Sequence, residues 1–395
     1  MIRGVKNPRL IALTAIVLTS FNLRTAITAL APLVSEIRDD LGVSASVIGV
    51  LGMIPTAMFA TAAFVLPAMK RKFTTSQLLM FAMLLTAAGQ IIRVAGPASL
   101  LMVGTVFAMF AIGVTNVLLP IAVREYFPRH VGGMSTTYLV SFQIVQALAP
   151  TLAVPISQWA THVGLTGWRV SLGSWALLGL VAAISWIPLL SLQGARVAAA
   201  PSKVSLPVWK SSVGVGLGLM FGFTSFSTYI LMGFMPQMVG DPQLGAVLLG
   251  WWSILGLPLN ILGPWLVTRF NNCFPMVVIA GVIFLIGNGG LCLVPEAAPW
   301  LWATLSGFGP LAFPMALTLI NIRAETSEGA SALSSFGQGL GYTIACFGPL
   351  LTGFIVDATG SFQVIFVLFA VATVFVIGGG YFATRQVYVE KLFES

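Results

Sequence analysis

The apolar positions of this chain gather in long runs, parted by short polar or Pro/Gly-marked breaks. A bilayer core about 30 Å thick takes about 20 apolar residues per helix. Twelve runs fit, near residues 10–34, 45–67, 75–95, 98–122, 131–155, 170–191, 211–238, 245–268, 275–294, 300–321, 330–355 and 362–384. The loops are short except 192–210. The pattern therefore predicts an all-α membrane protein of twelve transmembrane helices. Arg3, Lys6 and Arg9 ahead of the first run, with Ala29-Leu30-Ala31 behind it, have the outline of a signal peptide. The run is longer than a signal h-region, contains Arg24 and would be cut directly before Pro32, so a retained first span is expected.

Composition narrows this further. Of 395 residues, 57% are hydrophobic and 8% charged, against about a quarter charged in soluble domains. That excludes a soluble enzyme, a nucleic-acid binder and a disordered scaffold. Cys273, Cys292 and Cys346 are dispersed, without histidine or cysteine neighbours, so neither a disulfide framework nor a zinc site is indicated. The net charge of +8 reads as topology. With the N-terminus inside, fifteen of the nineteen Lys and Arg residues fall on cytoplasmic segments, and Arg38, Arg93 and Arg169 fall outside. This bias predicts an even number of spans with both termini cytoplasmic.

The two halves of the chain echo each other. Arg124 and Arg323, Ser135 and Ser334, and Pro150 and Pro349 are each 199 residues apart, while Thr19-Ser20-Phe21 recurs as Thr224-Ser225-Phe226 at a spacing of 205. Six helices are thus repeated, as residues 1–191 and 211–395 around a central cytoplasmic loop, 192–210. A duplicated six-helix unit of this kind resembles the major facilitator superfamily over essentially the whole chain. The resemblance implies two pseudo-symmetric six-helix bundles, alternating access to a midplane site, and a cavity lined by helices 1, 4, 7 and 10. The superfamily's loop between helices 2 and 3 carries an aspartate. Here that loop is Leu66-Pro67-Ala68-Met69-Lys70-Arg71-Lys72, which keeps the basic cluster without the acid.

Arg24 is the candidate on which function turns. It lies 15 residues after Arg9 and 12 before Glu36, roughly 22 and 18 Å from those charges at 1.5 Å per residue. No other charged residue is expected so deep, and all eleven acids fall in loops, helix ends or the tail. A guanidinium at a helix centre costs about 2.5–3.5 kcal/mol on insertion scales and stays charged. One anion at about 4 Å recovers on the order of 4 kcal/mol at an effective dielectric of 20. Thr28 and Pro32 follow at i+4 and i+8, which reads as a cavity wall. The 205 spacing makes Tyr229 the second-half counterpart, with a phenol able to donate to the same ligand or to anchor in an interfacial belt.

Further polar candidates are Asn22, Asn116, Gln143, Asn260, Gln338 and Tyr342, any of which can instead serve as interhelical glue. Gln143 and Tyr342 stand out because they are 199 apart. Trp251 and Trp252 read as interface anchors, and Gly287-Asn288-Gly289-Gly290 as close helix packing. His130 and His162 fall in loops without metal-ligand spacing, and no catalytic constellation is found, so no cofactor, metal or enzymatic activity is expected.

Phe21-Asn22-Leu23-Arg24, then Ala31-Pro32-Leu33, Glu36-Ile37 and Leu41-Gly42, with Trp168-Arg169 later, resemble the cyanate/2-nitroimidazole porter branch of the superfamily. The resemblance implies a small anionic or nitro-bearing solute anchored by the helix-1 arginine. That branch's proline after the arginine is Thr25 here, so a straighter helix is expected. The spans hold no buried carboxylate to shuttle protons, which leaves a solute that carries its own proton, no coupling, or a carboxylate at the outer mouth, Asp357 or Glu36. The expected protein is a secondary transporter of the inner membrane, monomeric, meeting a small solute, the lipid bilayer and possible coupling protons, with no nucleic-acid partner. The alternative is a broad-specificity efflux transporter for lipophilic drugs, which the aromatic content of 11% would suit.

Overall fold

The computed structural model describes residues 8–190 and 207–393. Arg3, Lys6, Arg196, Lys203 and most of the 192–210 loop lie outside these. Among the described residues there is no strand. Twelve helices are long and apolar enough to cross a membrane: α1 (Arg9–Leu41), α2 (Ala45–Lys70), α3 (Thr75–Ile92), α4 (Ala98–Tyr126), α5 (Gly133–His162), α6 (Gly167–Leu189), α7 (Ser212–Val239), α8 (Pro242–Arg269), α9 (Phe274–Leu293), α10 (Pro299–Ile322), α11 (Ala332–Thr359) and α12 (Ile365–Ala383). This is the expected set. The main extensions are α1, which runs on past Val34 to Leu41, and α5, which runs on through Pro155 to His162. Its last two turns carry Ser157, Gln158 and Thr161, so the helix outlasts the apolar run from which its end was read. His162 accordingly closes a helix rather than sitting in a loop.

Several spans are interrupted where proline removes an N–H from the helical ladder. In α1 the helical pieces are Pro8–Ser20, Asn22–Thr28 and Val34–Leu41, with a 3₁₀ turn at Ala31–Leu33 opened by Pro32. The piece that contains Thr25, Asn22–Thr28, is itself unbroken, and the interruptions of α1 fall at Phe21 and after Thr28. In α8 the break at Leu255 precedes Pro258, and in α10 a 3₁₀ turn at Gly309–Leu311 contains Pro310.

Contacts divide the chain into two units, Met1–Val43 with Ala57–Ala199, and Ser44–Thr56 with Ala200–Ser395. The division falls inside α2, next to Pro55. In the first unit α1 packs on α4, α5 and α6, and α3 on α4 and α6. In the second, α7 packs on α10, α11 and α12, and α9 on α10 and α12. Each pairing is repeated with the helix number advanced by six.

Glycine sets how closely some of these pairs approach. A Cβ on Gly89 of α3 would lie 2.6 Å from the Ala108 nitrogen of α4. Gly287 and Gly290 of α9 leave the same kind of gap for the Ser306 backbone and the Trp302 ring of α10, so the glycine cluster does serve close packing.

One end of the first unit is held by Arg169. Its Nη1 donates to the carbonyls of Val94 and Gly96, both at 2.9 Å, and its Nη2 pairs with Asp40 Oδ2 at 3.0 Å. Trp168 Nε1 donates to the same carboxylate oxygen at 3.0 Å. The Trp-Arg pair thus joins the start of α6 to the ends of α1 and α3. In the second unit the corresponding fastener is at the other end. Arg323 is buried, donating to the carbonyls of Ala383 (3.3 Å) and Thr384 (2.8 Å), while Val389 N–H donates to the Arg323 carbonyl at 2.9 Å. Glu390 accepts from the backbone N–H groups of Glu325 (3.1 Å) and Thr326 (3.0 Å) and from the Thr326 hydroxyl (2.8 Å).

Arg169→Ala is expected to cost about 1.5–3 kcal/mol, the range for hydrogen bonds to a charged group. Arg169→Lys should rescue little, because an ammonium cannot reproduce the fork. Thermal unfolding in detergent measures both. Burial alone would raise the Glu390 carboxyl, but the hydrogen bonds from Glu325, its own backbone and Thr326 outweigh that and hold it below the usual glutamate value. A depressed folded value means the stabilisation is complete above the unfolded value, near about 4.3, and lost as pH falls through the folded one. The melting-temperature gap between wild type and Glu390→Gln should be full at neutral pH and close in acid.

Candidate functional site

Arg24 rides on the seven-residue helical piece Asn22–Thr28, set off from the rest of α1 on both sides. It is half-buried. Its Nη1 donates to the Leu23 carbonyl at 3.0 Å, and its guanidinium carbon stands 5.3 Å from the centroid of the Phe59 ring of α2. Among the described residues it has no carboxylate partner. A cation over an aromatic face is worth about 0.5–2 kcal/mol, which offsets only part of the cost of withdrawing a guanidinium from water.

The neighbours expected to share its cavity wall are buried in the first unit. Thr28 is fully buried, its hydroxyl donating to the Arg24 carbonyl at 3.2 Å and to the Gln146 carbonyl of α5 at 3.3 Å. Pro32 is also buried. Thr28 keeps the i+4 register, since Asn22–Thr28 is unbroken, but Pro32 does not: the count to i+8 crosses the break that follows Thr28. Asn22 is fully buried too, with its Nδ2 donating to Leu18 O at 3.1 Å. Arg24 is therefore the member of this helical piece that keeps exposure.

The remaining candidates divide between the units. In the first, Asn116 on α4 is half-buried, and Gln143 and Gln146 on α5 are buried. In the second, Tyr229 on α7 is buried, Asn260 on α8 is exposed, and Gln338 on α11 donates to Ser334 Oγ at 2.7 Å. Tyr342 stands edge-on to Phe221, with centroids 5.2 Å apart and planes at 90°. Trp251 is exposed and donates to Thr304 Oγ1 at 2.9 Å. Trp252 is buried in the second unit and so is no surface anchor, since successive residues on a helix point about 100° apart.

Both coupling candidates are engaged. Glu36 accepts from Ser157 Oγ at 2.5 Å. Asp357, near the end of α11, caps the start of α2: Oδ1 accepts from Ala45 N–H at 2.8 Å, and Oδ2 accepts from Ser46 N–H at 2.7 Å and from the Ser46 hydroxyl. The same two helices are in contact further along, where Thr56 Oγ1 donates to Cys346 Sγ at 3.0 Å.

Arg93 departs from its expected place. Placed by sequence in an outer loop, it is 0% exposed. Its Nη1 donates to the carbonyl of Ala26 at 2.9 Å and to Gln90 Oε1 at 3.1 Å. The break in α1 explains the first contact. Leu30 N–H turns back three residues to Ile27 instead of four to Ala26, and the carbonyl it passes over is the one Arg93 takes. The signal in the sequence was Gln90, three residues earlier and on the same helix face.

Asp357→Ala removes both acceptors from the start of α2 and should destabilise by about 1–3 kcal/mol, whereas Asp357→Asn should recover only part of this, because its amide nitrogen cannot accept from an N–H. Thermal unfolding of the two variants checks this.

Comparison with known proteins gives one family and consistent relatives. The family model described as Major Facilitator Superfamily matches residues 16–346. The chain is 28% identical over 363 residues to the 2-nitroimidazole transporter of Escherichia coli K12, covering 90% of this chain and 91% of that protein. It is 26% identical over 358 residues to the cyanate transport protein CynX of the same organism, covering 89% and 91%. Among solved structures, a bacterial homologue of the human lysosomal transporter Spinster, inward-facing and occupied, superposes with a TM-score of 0.75 at 14% identity, over 96% of this chain and 95% of that one.

Proposed function

The chain belongs to the Major Facilitator Superfamily, and from that premise we propose that it carries a small anionic or strongly polarised solute, of the cyanate or nitro type, by alternating access. It is a multi-pass membrane transporter and not an enzyme. The observation that carries the finer reading is Arg24, a half-exposed guanidinium with no carboxylate partner among the described residues, mounted on a short helical piece beside Phe59.

The electrostatics favour an anion. A cation in a low-dielectric cleft attracts a counter-charge with an energy on the order of 4 kcal/mol at about 4 Å and an effective dielectric of 20. A solute that brings its charge in also leaves with it, so the protein does not have to keep a carboxylate buried. The names of the relatives, a 2-nitroimidazole transporter and a cyanate transport protein, support a solute of this size and polarity. An exporter of cationic drugs would want a buried carboxylate, and among the described residues none is buried.

The same reading assigns Asn116, Gln143, Tyr229, Asn260, Gln338 and Tyr342 as further polar contacts of the solute. Asp357 or Glu36 would be the carboxylate that titrates if protons are coupled. We also place the chain in the inner membrane with both termini cytoplasmic. The end of the first unit fastened by Arg169 is then the outer one. With Arg93 buried, Arg38 and Arg169 are the solvent-reaching cations there, which sharpens the positive-inside bias.

A thermal-shift series with sodium cyanate, sodium nitrite and 2-nitroimidazole tests the anchor. At a hundredfold excess over Kd a ligand should stabilise wild type by about 2.7 kcal/mol and Arg24→Ala hardly at all, with Arg24→Lys between them. Equal stabilisation of wild type and Arg24→Ala by the same solute removes Arg24 from the site. Uptake into proteoliposomes that ignores an imposed proton gradient, yet is lost in Arg24→Ala, would exclude the proton-coupled versions.

A further inference from the structure

Arg93 belongs to none of this, and its bonding is incomplete. Of its three nitrogens only Nη1 is engaged, with Ala26 O and Gln90 Oε1. Nε and Nη2 are buried and without a partner among the described residues. Gln90, 1% exposed, uses its Oε1 on Arg93 and has a buried, unpartnered Nε2. These three groups are donors only. The helical piece that carries Ala26 has one unpartnered buried acceptor, Asn22 Oδ1, and one hydroxyl able to play either part, Thr25 Oγ1. The cluster is therefore rich in donors and carries a net positive charge. Arg93 has no carboxylate partner among the described residues.

Bulk water cannot reach a residue with no exposed surface, and a guanidinium keeps its proton under any ordinary condition. A buried charge is tolerated when it is paired and hydrogen-bonded. We propose that Arg93 and Gln90 form a second, fixed anion site, taking a small inorganic anion of about the size of chloride between α1 and α3. Its place is distinct from that of the transported solute. Ala26 lies two residues beyond Arg24, about 200° around the helix, so Arg93 braces the far side of the helical piece that presents Arg24. The bound anion neutralises Arg93 and holds it against Ala26 O, the carbonyl released by the break in α1.

The test uses the full chain in nanodiscs, with sodium chloride exchanged for sodium gluconate at constant sodium. Chloride should raise the melting temperature of wild type and of Arg24→Ala alike, and should have no effect on Arg93→Gln. Gln90→Leu keeps the charge but loses one donor, and should raise the half-maximal chloride concentration by about tenfold. The Arg24→Ala arm separates this proposal from the substrate reading, since either can fail without the other. Should Arg93→Gln not fold, bromide-soaked crystals of wild type decide the matter. An anomalous peak within hydrogen-bonding distance of Arg93 Nε or Nη2 supports the site. A water in that position, or a melting temperature indifferent to chloride in wild type, overturns it.

Discussion

A guanidinium taken out of water needs acceptors for five N–H groups, and a chain with eleven acidic residues in 395 has few to offer. The structure meets the need mainly with peptide carbonyls, and it finds them where helices stop. Arg169 bonds the carbonyls of Val94 and Gly96 just past α3, Arg323 those of Ala383 and Thr384 at the end of α12, and Arg93 that of Ala26, in the last turn before α1 breaks. Ala26 and Ala383 are among the last four carbonyls of their helical pieces, which lack intrahelical donors and form the negative pole of the dipole, while Val94, Gly96 and Thr384 lie just past a helix end. Each arginine thereby satisfies carbonyls at or just beyond a helix end. Arg24 differs in having one such bond, to Leu23, and an aromatic face in place of the rest.

That difference is also a difference between the halves. The helix pairings repeat with the number advanced by six, yet the position matching Arg24 in the second half is Tyr229, and the two fasteners, at Arg169 and at Arg323, hold opposite ends of their units. The duplication conserved how the helices pack and left the polar positions free to diverge. Packing is set by many small apolar contacts that tolerate exchange, whereas a single charge at a fixed depth has no substitute.

The fold was legible because a transmembrane helix announces itself as a run of apolar residues, and α7 or α9 could be read from such a run almost to the residue. The site was legible less evenly. Arg24 stood out because it interrupts such a run. Arg93 did not, because it falls at the end of one, just before Gly96-Pro97, where a loop is expected. Hydropathy shows where a run ends but not whether the next side chain turns outward to water or back into the protein. Pro32 stands apart from the stripe for a related reason: an angular stripe has meaning only while the helix is continuous, and the turn at Ala31–Leu33 ends that continuity. Asp357 as the cap of α2 could not have been read at all, since its partners lie 311 and 312 residues away.

The division of the chain falls within α2. Residues up to Thr56 belong with the second unit and residues from Ala57 with the first, and Pro55 stands beside that line, unable to donate to the carbonyl of Leu51. The helix runs unbroken from Ala45 to Lys70 all the same, so the missing rung is carried by the hydrogen bonds on either side of it.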